Sequence, residues 1–88
     1  MAHFLISYDL VKRKDYEKLI TELERLNGHK CLLSAWLLDA ECTAAELRTH
    51  LKQYIDDDDR LIVAQITTAP APSKCFQGTN DWIKARFG

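Results

Sequence analysis

Asp9 ends the apolar run FLISYD, and Lys12, Arg13 and Lys14 follow almost at once. A carboxylate in that place has two chemistries open to it. It can shape a turn by accepting from backbone amides on the way to Lys12, or it can be projected into a crevice as a ligand for a hard cation. One carboxylate makes a poor magnesium site. Twofold symmetry near the strand end would supply a second, and two carboxylates sharing one hard cation is sound chemistry. The basic triplet is either a solvated loop or a clamp on a phosphodiester backbone.

The other reactive types are less pointed. Asp56 to Asp59 lack the interleaved glycine and distal glutamate of a calcium loop, and read as a solvated loop. His29 and Cys31 flank one residue, but no second pair stands at zinc spacing, so packing is their reading. Cys31, Cys42 and Cys75 are odd in number, widely spaced and without a histidine in a nucleophile pattern. Free thiols and an N-terminus without a secretory pattern suggest a cytoplasmic setting. Trp36 reads as core or dimer interface rather than a base-stacking platform, and Trp82 as the anchor of a terminal helix.

The elements that must position these residues follow from periodicity. Residues 3 to 8 alternate Phe4, Ile6 and Tyr8 against Leu5 and Ser7, which predicts a central strand with Asp9 at its end. Asp15 is placed to cap a helix carrying Tyr16, Leu19, Ile20, Leu23 and Leu26, and Asn27-Gly28 offers a left-handed stop. CLLSAWLL predicts two short strands meeting near Ser34. TAAE is a capping box, Thr43 with Glu46, opening a second helix with Leu47, Leu51, Tyr54 and Ile55 on its stripe. The four aspartates cannot prolong it, because negative charge at a helix C-terminus opposes the macrodipole. RLIVAQI, Arg60 to Ile66, is a strand, both prolines follow it, and a short helix from about Asn80 presents Trp82, Ile83 and Phe87.

The chain of 88 residues allows one core, with 47% hydrophobic and 28% charged residues. Its 12 basic and 13 acidic residues give a net charge of -1, so no global field draws in polyanions, and any nucleic-acid contact must be local. No apolar stretch approaches a membrane span. The order strand, helix, strand, strand, helix, strand predicts an α+β, ferredoxin-like (βαββαβ) antiparallel sheet, with two helices on one face and a short C-terminal helix added. Residues 1–67 would form that domain, and 68–88 an extended proline-containing tail and helix packing on it or on a partner. Helices on one face leave the other bare, which predicts a homodimer by sheet-face or edge contact.

These motifs together carry a resemblance. LISYDL ending in Asp9, the basic VKRK, CLLSAWLL with Ser34 two residues before an aromatic, the T-x-x-E helix start and DDDDRLIVAQI resemble the CRISPR-associated endoribonuclease and adaptation protein superfamily. That superfamily includes the virulence-associated protein D toxins and SinR-type stand-alone relatives. The resemblance runs from about His3 to Ile66. It implies a homodimer in which Asp9 faces its symmetry mate and the pair holds a magnesium ion for attack on a phosphodiester. Ser34 would orient the site, and Arg13 falls near the family's basic position. The helical tail and near-neutral charge favour the stand-alone relatives over a spacer-integration subunit. The expected function is a dimeric metal-dependent nuclease on RNA, with Asp9 and Ser34 as catalytic residues and Lys12, Arg13 and Lys14 on RNA or DNA phosphates. The alternative is a non-catalytic dimer binding nucleic acid or protein.

Overall fold

Strand β1 (Ala2–Asp9) sorts its side chains to two faces as its alternation requires. In the computed structural model, which describes residues 1–88, Phe4 and Ile6 are fully buried and Tyr8 nearly so, while Leu5 and Asp9 are exposed. The other elements are α1 (Arg13–Arg25), β2 (His29–Leu32), β3 (Ala35–Ala40), α2 (Ala44–Leu51), β4 (Arg60–Ile66) and α3 (Thr79–Phe87). All pairings are antiparallel in the order β2-β3-β1-β4, the ferredoxin-like arrangement with one helix added. On the first face Phe4, Ile6, Tyr8, Trp36 and Leu38 pack with Leu19 and Leu23 of α1 and Leu47 and Leu51 of α2. Trp36 Nε1 donates to Tyr8 Oη at 3.0 Å, so the core's two polar aromatic tips satisfy each other.

Helix α1 begins earlier than its apolar stripe suggests. Lys12 is its N-cap and makes no side-chain capping bond. Asp15 lies in the first turn rather than before it, buried against the α2–β4 loop. There it offsets the unfavourable placement of Arg13 and Lys14 at the positive end of the helix. At the other end Asn27 takes the left-handed conformation (φ 60°). The Asn27 amide donates to Glu24 O and the Gly28 amide to Leu23 O, each at 2.9 Å, closing a Schellman turn. Gly28 serves close approach: a Cβ there would sit 3.0 Å from both Leu23 O and Trp36 Cε3.

β2 and β3 meet at a turn over Leu33 and Ser34, as CLLSAWLL predicts. The capping box of α2 is present in both directions, Glu46 N–H to Thr43 Oγ1 at 3.1 Å and Thr43 N–H to Glu46 Oε1 at 2.9 Å. The aspartate run forms a turn, but it is not uniformly solvated. Asp57 and Asp58 are exposed, whereas Asp56 and Asp59 turn partly inward because Asp59 Oδ2 accepts the Asp56 amide at 2.8 Å.

The second face is not bare. Trp82 and Ile83 of α3 pack on Cys31, Ala35 and Leu37, so the β2–β3 half is covered by the chain's own tail. The β1–β4 half stays open, with Leu5 36% and Ile62 64% exposed. A polar latch holds α3 in place. Asp39 accepts from His3 Nδ1 at 2.7 Å and from Arg86 Nε at 2.8 Å, and the Arg86 guanidinium lies 4.0 Å over the Trp82 ring. Thr79 Oγ1 donates to Phe76 O at 2.7 Å and so accepts from His29 Nε2 at 2.8 Å, which fixes the proton of His29 on Nε2. Burial pushes the Asp39 carboxyl up, but its His3 and Arg86 hydrogen bonds together hold it below the usual range.

Glu22 ties the two core helices together, taking both Arg25 nitrogens at 2.6 Å and His50 Nε2 of α2 at 2.5 Å. The Arg25 hydrogen bonds lead in lowering its carboxyl from 4.5 to about 2, against the effect of burial. A depressed carboxylate contributes stability that is whole above 4.5 and is lost as pH falls through about 2. Glu22→Gln is therefore expected to cost about 2 kcal/mol at neutral pH. The gap between variant and parent should close across that acid window, as read by chemical denaturation at stepped pH. Arg86→Ala is expected to cost about 2 kcal/mol through the lost charged hydrogen bonds and stacking. Amide exchange should accelerate across α3 while α1 stays protected; unchanged α3 protection would disprove the latch.

Candidate functional site

The register of β4 on β1 sets Arg60 opposite Asp9 and Ile62 opposite Ser7, and Ser34 O accepts the Tyr8 amide at 3.1 Å from the other side. Asp9, Ser34 and Arg60 are thus gathered at one end of the sheet. Ser7, Tyr8, Asp9, Arg60, Leu61 and Ile62 line a shallow hollow there of about 230 Å³. Asp9 Oδ2 lies 3.4 Å from Arg60 Nη1, but the two side chains are 73% and 83% exposed, so the contact is weak and water competes for it.

Asp9 does no work in the turn that follows it. The Leu10 amide and carbonyl both go to Tyr16 Oη, at 3.4 and 3.2 Å, and the Val11 amide goes to Asp59 Oδ1 at 2.7 Å. The turn-forming reading of Asp9 fails because these groups take the amides first. Its carboxylate is left facing solvent on the uncovered half of the sheet.

The basic triplet divides. Arg13 and Lys14 are exposed, on the first turn of α1 rather than on a loop, and Lys12 Nζ pairs with Asp56 Oδ2 at 3.1 Å. The Asp56 hydrogen bond raises the Lys12 pKa, with Asp58 and Asp15 adding to it. The cation that reaches Asp9 is Arg60. Sequence reasoning missed Arg60, because only the register of β4 places it beside the carboxylate.

A second acidic group lies behind the same loop. One carboxylate oxygen each of Asp15, Asp56 and Asp59 fall within 4.8 Å of one another, an arrangement able to hold a metal ion. Burial first, then the neighbouring Asp59 and Asp56, pushes the Asp15 carboxyl up. Asp59 is held below the usual range chiefly by the Val11 amide. The signal for this group in the sequence was confined to the aspartate run; its third member is a helix residue 41 positions before Asp56.

No helix is long and apolar enough to cross a membrane. Residues 1–72 match the family model described as CRISPR associated protein Cas2, a span that takes in β1 to β4, the two helices between them and both prolines after β4, while α3 lies beyond it. With most of its length matched, and with a sheet order that agrees, the chain belongs to the CRISPR associated protein Cas2 family.

Proposed function

We propose that this protein is a homodimeric, divalent-metal-dependent nuclease acting on RNA phosphodiesters, with Asp9 as the metal-binding residue. The observation that carries the reading is the freedom of Asp9: it ends the central strand, is exposed on the open half of the sheet and bonds no backbone amide. A solvent-facing acid with no part in the local turn is available for a ligand.

One Asp9 carboxylate beside an arginine is too small a donor set for magnesium, which seeks six oxygens. The donor set fits when a second copy adds its own Asp9. Leu5 and Ile62 support that arrangement, because both are exposed on the same half-face and a partner sheet would bury them. Bound there, magnesium supplies Lewis-acid activation of water and of the phosphodiester. The chain's own residues do the rest. Arg60, within reach of Asp9, meets the non-bridging phosphate oxygens, and Arg13 and Lys14 hold flanking phosphates from the first turn of α1. Ser34, which lies outside the hollow, accepts the Tyr8 amide through its carbonyl and so helps to fix the strand end that carries Asp9.

A second reading has its own support. Arg60 already neutralises Asp9 in part, and a pair so arranged serves equally in a non-catalytic dimer that binds nucleic acid or protein.

RNA and DNA incubated with the parent protein and with Asp9→Ala, each with and without magnesium, separate the two. The nuclease reading expects magnesium-dependent RNA cleavage by the parent and at least a hundred-fold loss, about 2.7 kcal/mol or more of transition-state stabilisation, in the variant. Equal cleavage by both, or none by either, overturns it. Asp9→Ala should leave chain stability within about 0.5 kcal/mol, since the side chain is exposed and weakly paired. Light scattering at micromolar concentration should return twice the chain mass, and Ile62→Glu should reduce it to one; a monomeric parent removes the dimer from the proposal.

A further inference from the structure

Asp15 is the most unusual polar residue of the chain. It is 1% exposed, and neither carboxylate oxygen has a hydrogen-bond partner. A buried carboxylate without a donor is costly to keep, and native structures avoid it unless something occupies the space beside it. The residues beside it are acceptors too: Asp56 and Asp59 each bring a carboxylate oxygen within 4.8 Å. Asp59 already accepts the Val11 amide at 2.7 Å through Oδ1 and the Asp56 amide at 2.8 Å through Oδ2, which hold it in place and still leave each oxygen a lone pair.

We propose that Asp15, Asp56 and Asp59 form a binding site for a hard divalent cation, separate from Asp9. All three donors are carboxylate oxygens, which excludes soft thiolate-seeking metals and suits calcium, manganese or magnesium. A site that supplies three protein carboxylates favours an ion that gives up its waters readily, calcium or manganese over magnesium. The other charged groups facing the cluster are few. Lys12 Nζ lies 3.1 Å from Asp56 Oδ2 and is the internal competitor for the site, and Lys14 acts weakly on Asp15 from the helix. Arg48 and Lys52 of the α2 end line the adjoining cleft of about 290 Å³ with Asp57, through which an ion would enter. Occupancy would join the first turn of α1 to the loop before β4 and clamp the Val11–Lys14 segment.

Thermal unfolding and calorimetric titration of the full chain test the site. After chelation, calcium, manganese or magnesium is added at ionic strength matched with sodium chloride. Asp9→Asn is expected to bind one ion per chain at this site and to melt higher as it saturates, and the parent to bind that ion in addition to the one shared by its Asp9 pair. Asp15→Asn should bind about ten-fold or more weakly, having lost one full charge of the donor set, and should melt above the ion-free parent because an unpaired buried charge is gone. Lys12→Gln should bind more tightly, and Asp56→Asn, which leaves the Val11 contact intact, should bind more weakly. An equal response in Asp15→Asn, or no response in the parent beyond that to sodium chloride, overturns the proposal; the second result would mean that Asp15 and Asp59 share a proton instead. Because Asp9→Asn retains this site, loss of nuclease activity and loss of ion binding here are separable outcomes.

Discussion

The two-sidedness of β1 is the constraint on which the rest of the molecule depends. A central strand hydrogen-bonded on both edges cannot rotate, so its period of two decides where each side chain goes. Phe4, Ile6 and Tyr8 must then enter the core between sheet and helices, and Leu5, Ser7 and Asp9 must face away from it. Slipping the strand by one residue would bury Asp9 against Leu19 and Leu23 and expose Phe4 to water. The apolar core therefore holds the acid at the surface, and no hydrogen bond of its own is needed to keep it there.

Much of the fold was legible because its signals are local. The Thr43–Glu46 box spans four residues and closes on itself, and the break at Ser34 separates two β-rich runs too short to be one helix. The β1 alternation placed Asp9 at a strand end on the open face. What escaped the sequence depends on contacts between distant segments. Asp15 looked like a cap because aspartate before an apolar stripe usually is one, yet its burial comes from a loop 41 positions later. Arg60 needed the β1–β4 register. The tail was expected as a short helix with Trp82 at its root, but nothing in its composition says which half of a sheet it will cover.

Placement of α3 changes the problem of the open face. A four-stranded sheet with helices on one side normally leaves a whole face to a partner; here Trp82 and Ile83 already cover the β2–β3 half, held by Asp39, His3 and Arg86. The remaining half is narrower and is bounded by the acid–arginine pair at one end. Any partner seated there would meet Leu5, Ile62 and Asp9 together, so the apolar contact surface and the strand-end acid fall on the same strip.

The near-neutral net charge also takes on a different meaning once charges are located. Of the three basic residues after Asp9, Lys12 is paired with Asp56, and the acidic run that lowers the net charge is partly drawn under α1 rather than spread over the face that carries Asp9. Asp59 links these regions. Its carboxylate holds the Val11 amide, two residues beyond Asp9 on β1, and the residue after it is Arg60, which the register sets opposite Asp9. A movement of the α2–β4 loop that broke the Asp59–Val11 bond would free the segment leading from Asp9 and displace Arg60 at the same time. The acidic cluster and the strand-end acid are thus joined through one residue.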